Sequence, residues 1–180
     1  MKTTIVNKDA PILRKKASSV HLKDISTRKF QNILERMKLA LNQEDDGVAI
    51  AAPQIGESLR IFVVSGKVTA IINNIPEDEL KRSKKFPDTV FINPEIIKLS
   101  RKKMEVEEGC LSVRWLYGLV KRSEKVVIRA YDENGKKIER GASGLMAQIF
   151  QHEIDHLNGI LFIDKAKNIA NLPPVKKRKK

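Results

Sequence analysis

The chain has a single cysteine, Cys110, among 180 residues. No internal disulfide can form, and the composition suits a reducing compartment. Long apolar runs are missing too: stretches such as 61–64 and 160–163 fall far short of the roughly 18 residues that cross a bilayer, which excludes a membrane-spanning helix. The first residues carry a lysine but no apolar core and no small-residue cleavage pattern, so no secretory signal is visible and a cytoplasmic address is expected. No repeat of 20–50 residues is apparent, which sets aside solenoids. Acidic residues are in deficit, with 22 Asp and Glu against 35 Lys and Arg, and the net charge of +13 favours polyanionic surroundings such as RNA or a ribosome surface. What remains is ordinary: 41% hydrophobic and 32% charged residues, in a length that at about 100–200 residues per domain makes one soluble globule.

One folded domain is expected over 1–172, followed by a basic flexible tail over 173–180, where two prolines precede Lys176-Lys177-Arg178-Lys179-Lys180. Ser26 or Thr27 can cap a helix running to about Gln43, because Phe30, Ile33, Leu34, Met37 and Leu41 recur at helical spacing. Segment 47–56 is rich in small residues and bounded by glycines, and reads as a loop or edge strand. Short β-branched and aromatic runs at 59–64 and 89–93 read as strands, and 125–131 with 136–139 as a hairpin around Asn134-Gly135. The polar stretch 66–88 reads as a surface excursion. Ser143 in Gly141-Ala142-Ser143 is a good N-cap for a helix from Leu145 to about Asn158, which Gly159 would end.

That last helix carries the chemistry. His152-Glu153-Ile154-Asp155-His156 is an H-E-x-x-H motif. Two imidazoles one turn apart on one face can grip a metal ion, with Glu153 beside them as a base. A catalytic site of this kind takes a third protein ligand and leaves a position open for water. Downstream of His156 there is no His, Cys or Glu, and Asp164 is the one carboxylate. Cys110, in Glu107-Glu108-Gly109-Cys110-Leu111-Ser112, is the natural upstream candidate, because a metal can hold its sulfur as thiolate at neutral pH.

Three ordered segments, 47–56 (similar to G-x-G-x-A-A-x-Q), Glu108-Gly109-Cys110-Leu111-Ser112 and Gln151-His152-Glu153-Ile154-Asp155-His156, together resemble the peptide deformylase family. Pro11-Ile12-Leu13-Arg14, Ile92-Asn93-Pro94 and Leu157-Asn158-Gly159 fit as well. The resemblance implies an α+β fold, with a mixed, largely antiparallel sheet packed around a C-terminal metal-binding helix. It further implies hydrolysis of the N-formyl group from N-formylmethionyl nascent peptides. A cytoplasmic monomer without a membrane partner is expected. By the same resemblance Cys110, His152 and His156 bind a divalent metal, usually Fe²⁺, with Zn²⁺, Ni²⁺ or Co²⁺ able to occupy the site. Glu153 is then the base, and the Gln54 amide and the Leu111 backbone N–H hold the oxyanion. Val48, Ile50, Val106, Leu145 and Ile149 would form the methionine pocket, and Ile50 and Gly109 would contact the substrate backbone. The motif's second glycine is Ala49 here, and a position often occupied by proline in the family is Arg114. Two readings compete, another H-E-x-x-H metallohydrolase and a non-catalytic basic protein that binds ribosomal RNA. The missing downstream ligand disfavours the first, and a base beside a metal pair disfavours the second. The basic tail is compatible with ribosome contact by the enzyme itself.

Overall fold

The computed structural model describes residues 4–76 and 86–174. Helix α1 spans Arg28–Asn42, with the Thr27 hydroxyl accepting from the Phe30 N–H at 3.3 Å. Its buried residues include Phe30, Ile33, Leu34, Met37 and Leu41, the periodic set. Segment 47–56 supplies strand β1, Ala49–Ala51, and a 3-10 turn, Ala52–Ile55. Strand β2, Ile61–Val64, leads into a short helix α2, Gly66–Ile72, capped by Ser65. This corrects the expected irregular excursion: seven residues are too few for periodicity to declare a helix, although Val68 and Ala70 are buried. The basic cluster at 81–85 lies outside the described residues.

Strand β3 spans Thr89–Leu99 and continues through Asn93-Pro94, beyond the expected end at residue 93. A proline has no N–H for the ladder, and the strand accommodates it at a register shift between Ile92 and Glu95. There Asn93 adopts φ 50°, and its side-chain amide binds both the N–H and the carbonyl of Val20 at 2.8 Å. Strands β4, Lys103–Glu108, and β5, Leu116–Ser123, flank the cysteine. The expected hairpin is β6, Lys125–Tyr131, and β7, Lys137–Ser143. Ser143 thus ends a strand in extended backbone and stands at the N-cap of helix α3, Gly144–Leu157, without a side-chain cap bond, contrary to expectation. Strand β8, Lys167–Asn171, closes the regular structure. Residues 173 and 174 are exposed, and the basic run 175–180 lies outside the described residues.

The strands form two sheets, ordered β1-β2-β3-β6-β7 and β4-β5-β8, and every strand pair is antiparallel. The parallel component is an isolated bridge between Ser18 and Leu59. Helix α1 packs on one face of the large sheet, over Ile50, Ile61, Val63 and Ile92. Helix α3 packs on the other, where Phe62 and Phe91 stack at 4.7 Å and Phe150 meets Phe91 edge-on at 5.0 Å. Among the described residues no helix is long and apolar enough to cross a membrane.

Two contacts fix α3 in place. Buried Gln151 accepts from the Ser123 N–H and donates to the Ser123 carbonyl, both at 2.9 Å, which ties the helix to the end of β5. At the helix end Gly159 has φ 77°, and a Cβ there would lie 2.7 Å from the Arg14 carbonyl oxygen, so only glycine lets the N-terminal segment cross. That segment is further held by the Ala17 N–H on the Leu157 carbonyl, 2.9 Å, and by Arg14 on Asp164, 2.5 Å.

Asp164 is pushed up by partial burial, but the hydrogen bonds from Arg14 and the Leu161 N–H outweigh this and hold its pKa below the usual carboxylate range. A carboxylate lowered on folding contributes stability above its unfolded pKa, and loses it as pH falls through the folded value. Asp164→Asn is therefore expected to lower the urea midpoint at about pH 7 and to differ less from the parent at about pH 2.5. A gap that does not narrow on acidification contradicts this.

Candidate metal centre

Helix α3 places His152 and His156 one turn apart, with ring centroids 5.0 Å from each other. The turn between β4 and β5 brings Cys110 to them, its Sγ 3.2 Å from His156 Nε2. One donor atom from each of the three lies within 4.8 Å of the others, a separation that suits a single cation. Asp164, the alternative third ligand, is instead committed to Arg14 and the Leu161 N–H.

Behind this cluster lies a buried ionic network. His152 Nδ1–H donates to Glu108 Oε2 at 2.9 Å, which leaves Nε2 free to face the cysteine. Arg122 grips both oxygens of Glu108, at 2.7 and 2.9 Å, and donates its remaining nitrogen to Asp155 at 2.5 Å. Lys165 reaches both oxygens of Asp155 at 2.7 Å. Burial raises the pKa of Glu108, but hydrogen bonds from Arg122 and His152 outweigh it and bring the value to about 2. Burial likewise opposes a charge on His152, yet bonds to Cys110 and Glu108 hold its pKa well above the ordinary value, so a cation binding at Nε2 does so by displacing a proton. Burial pushes His156 well below the ordinary value, so its imidazole is neutral and ready to ligate. Burial raises Glu153 to about 7, the range in which a carboxyl can both take and give a proton. Among the described residues its Oε2 has no hydrogen-bond partner, so it is able to accept from a water or a substrate N–H.

A cleft of about 300 Å³ opens over the cluster. Cys110, His152, Glu153, Gln54, Gly109, Leu111, Val48, Leu145 and Ile149 all line it. Gln54 is held by the Ala51 N–H on its carbonyl oxygen, 2.8 Å, which turns its NH₂ to Ser112 Oγ at 3.2 Å and toward Cys110 Sγ at 3.6 Å. Gly109 leaves room for Tyr117, whose Cε1 would lie 2.7 Å from an added Cβ. Ile50 and Val106 are not among the lining residues: Ile50 is fully buried on the opposite sheet face with α1, because alternation along β1 turns it away. Half-buried Val106 lies on β4, opposite Val120. Ala49 lines the cleft, and its added methyl is accommodated opposite Val64.

Sequence reasoning missed Glu108, Arg122 and Asp155 as the support of the ligands. A trace existed: Gly118, Val120 and Arg122 alternate along β5, so Arg122 shares the buried face.

Glu108→Gln is expected to weaken Zn²⁺ affinity about 10–100-fold in a chelator competition, the usual effect of losing a ligand's supporting carboxylate. Arg122→Ala should destabilise the fold by about 3–5 kcal/mol in urea, because it strands two carboxylates. Unchanged zinc affinity in the first variant contradicts the supporting role.

The family described as polypeptide deformylase matches residues 2–171. The chain is 40% identical over 168 residues to the peptide deformylase of Desulforudis audaxviator, covering 92% of this chain and 94% of that one. It is 39% identical over 163 residues to the chloroplastic/mitochondrial peptide deformylase 1A of Arabidopsis thaliana, covering 89% of this chain but spanning 60% of that relative's length. Among solved structures, a Met-Ala-Ser-bound class I type b deformylase from Acinetobacter baumannii superposes with a TM-score of 0.77 at 30% identity, covering 92% and 99% of the two chains.

Proposed function

The chain belongs to the peptide deformylase family, and from that premise we propose that it hydrolyses the N-formyl group of formylmethionine on newly made polypeptides. The observation that carries this reading is the convergence of Cys110, His152 and His156 within 4.8 Å, beside the unpartnered carboxyl oxygen of Glu153. By family resemblance the resident ion is Fe²⁺, and the thiolate–imidazole set also suits Zn²⁺, Ni²⁺ and Co²⁺. A divalent cation held by these donors supplies Lewis acidity, making water a stronger acid and the formyl carbon a better electrophile.

The remaining work falls to the chain's own groups. Glu153 takes a proton as water attacks the formyl carbon, and returns it to the amine nitrogen as the C–N bond breaks. Formate and the free amine leave. The Gln54 NH₂, locked by Ala51, and the Leu111 N–H serve as donors to the developing oxyanion. Val48, Leu145 and Ile149 receive the methionine side chain, and Gly109 meets the substrate backbone. We take the enzyme to be a monomer and, in keeping with its lone cysteine, cytoplasmic, and read its +13 charge as favouring residence near ribosomes.

Protein loaded anaerobically with Fe²⁺ should release free amine from formyl-Met-Ala-Ser. Glu153→Ala should lower kcat by about 10²–10⁴-fold, as loss of a general acid–base does. Gln54→Ala should lower it about 10²–10³-fold. Absence of turnover in the metal-loaded parent would overturn the proposal.

A further inference from the structure

Two rims border the cleft. One is the connection after α1, carrying Glu44 and Asp46, and the other is the turn after Cys110, carrying Arg114, Trp115 and Tyr117. Arg114 joins them: Nη1 donates to Asp46 Oδ2 at 2.6 Å and Nη2 to Glu44 Oε2 at 2.5 Å. Its guanidinium also lies 4.9 Å from the centre of the Trp115 ring. The Glu44 carbonyl accepts from Lys67 Nζ at 3.3 Å, so this rim is itself anchored to α2.

We propose that Arg114 is a positioning residue that ties these rims together and thereby sets how the residues after the formylated methionine are held. The inference rests on the deformylase reading and goes beyond it to recognition of the peptide beyond its first residue. With the formyl carbon at the metal cluster and the first side chain among Val48, Leu145 and Ile149, the cleft wall beyond includes Asp46, Arg114, Trp115 and Tyr117, with Glu107 and Gln148 also lining the cleft. A planar fork reaches two separate carboxylates and keeps a flat face on an indole, whereas an ammonium is a point charge that does neither together. The partners are partly exposed, Asp46 by 54%, so the clamp adds little to global stability, and its effect lies in the shape of the rim.

The test uses Fe²⁺-loaded parent, Arg114→Ala, Arg114→Lys and the double variant Glu44→Gln with Asp46→Asn, on formyl-Met-Ala-Ser and formyl-Met. The ratio of KM for the tripeptide to KM for formyl-Met is expected to rise about tenfold in Arg114→Ala and in the double variant, with kcat for the tripeptide within about twofold. Arg114→Lys should recover part of that ratio. Equal KM changes on both substrates, or no change, overturn the proposal. Trp115 is the sole tryptophan, so its fluorescence reports peptide binding without turnover. Met-Ala-Ser, which carries no formyl group to be hydrolysed, titrated into the Fe²⁺-loaded protein should bind about tenfold more weakly to Arg114→Ala than to the parent, and equal affinity overturns the clamp. If the parent turns over neither formyl substrate, the deformylase reading fails, and this titration alone decides on the clamp.

Discussion

The buried guanidinium of Arg122 is the constraint on which the centre depends. It closes a bidentate pair with Glu108 from β4 and a further bond with Asp155 from α3, so one side chain holds together three elements: both strands beside the cysteine and the helix of the histidines. Taking such charges out of water is costly, and well-packed apolar groups would often serve stability as well. What apolar groups cannot do is orient an imidazole. Glu108, held in its charged form, fixes the His152 ring through Nδ1 and leaves Nε2 facing Cys110.

Around that network the fold performs one geometric task, which is to deliver a cysteine from a β-turn to two histidines on a helix. The small sheet carries Cys110 and the large sheet cradles α3 through its aromatic cluster. Gln151 pins the helix to the end of β5, so the ligand turn and the helix cannot slide apart. The N-terminal segment crosses the far end of α3 at Gly159 and is secured there by Asp164. That commitment also explains why the carboxylate downstream of the motif is not a ligand.

Much of this was legible in the residues because it rests on short-range periodicity. Helix α1, the H-E-x-x-H face and the Asn-Gly hairpin each follow from spacing within one element. Strands β4, β5 and β8 went unread, because the apolar half of their pattern is weak: along β4 Met104 is exposed and Glu108 is a charged residue turned inward, and every residue of β8 is exposed. The continuation of β3 through Pro94 depends on Asn93 reaching Val20, a contact 73 residues away along the chain that no local pattern announces. The proposed ligands Cys110, His152 and His156 and the proposed base Glu153 were readable as residue types. The side chain of Ile50, expected at the pocket wall, packs against α1 instead, because one residue of register along β1 decides which face a side chain takes.

The account stands or falls on whether Cys110, His152 and His156 act as one ligand set. Cobalt(II) substitution reads this directly, since a thiolate ligand gives a sulfur-to-cobalt charge-transfer band that imidazole and water do not. One cobalt per chain, with that band present in the parent and absent in Cys110→Ala, is the predicted result. Cobalt bound without the band, or a spectrum unchanged by Cys110→Ala, would contradict the account.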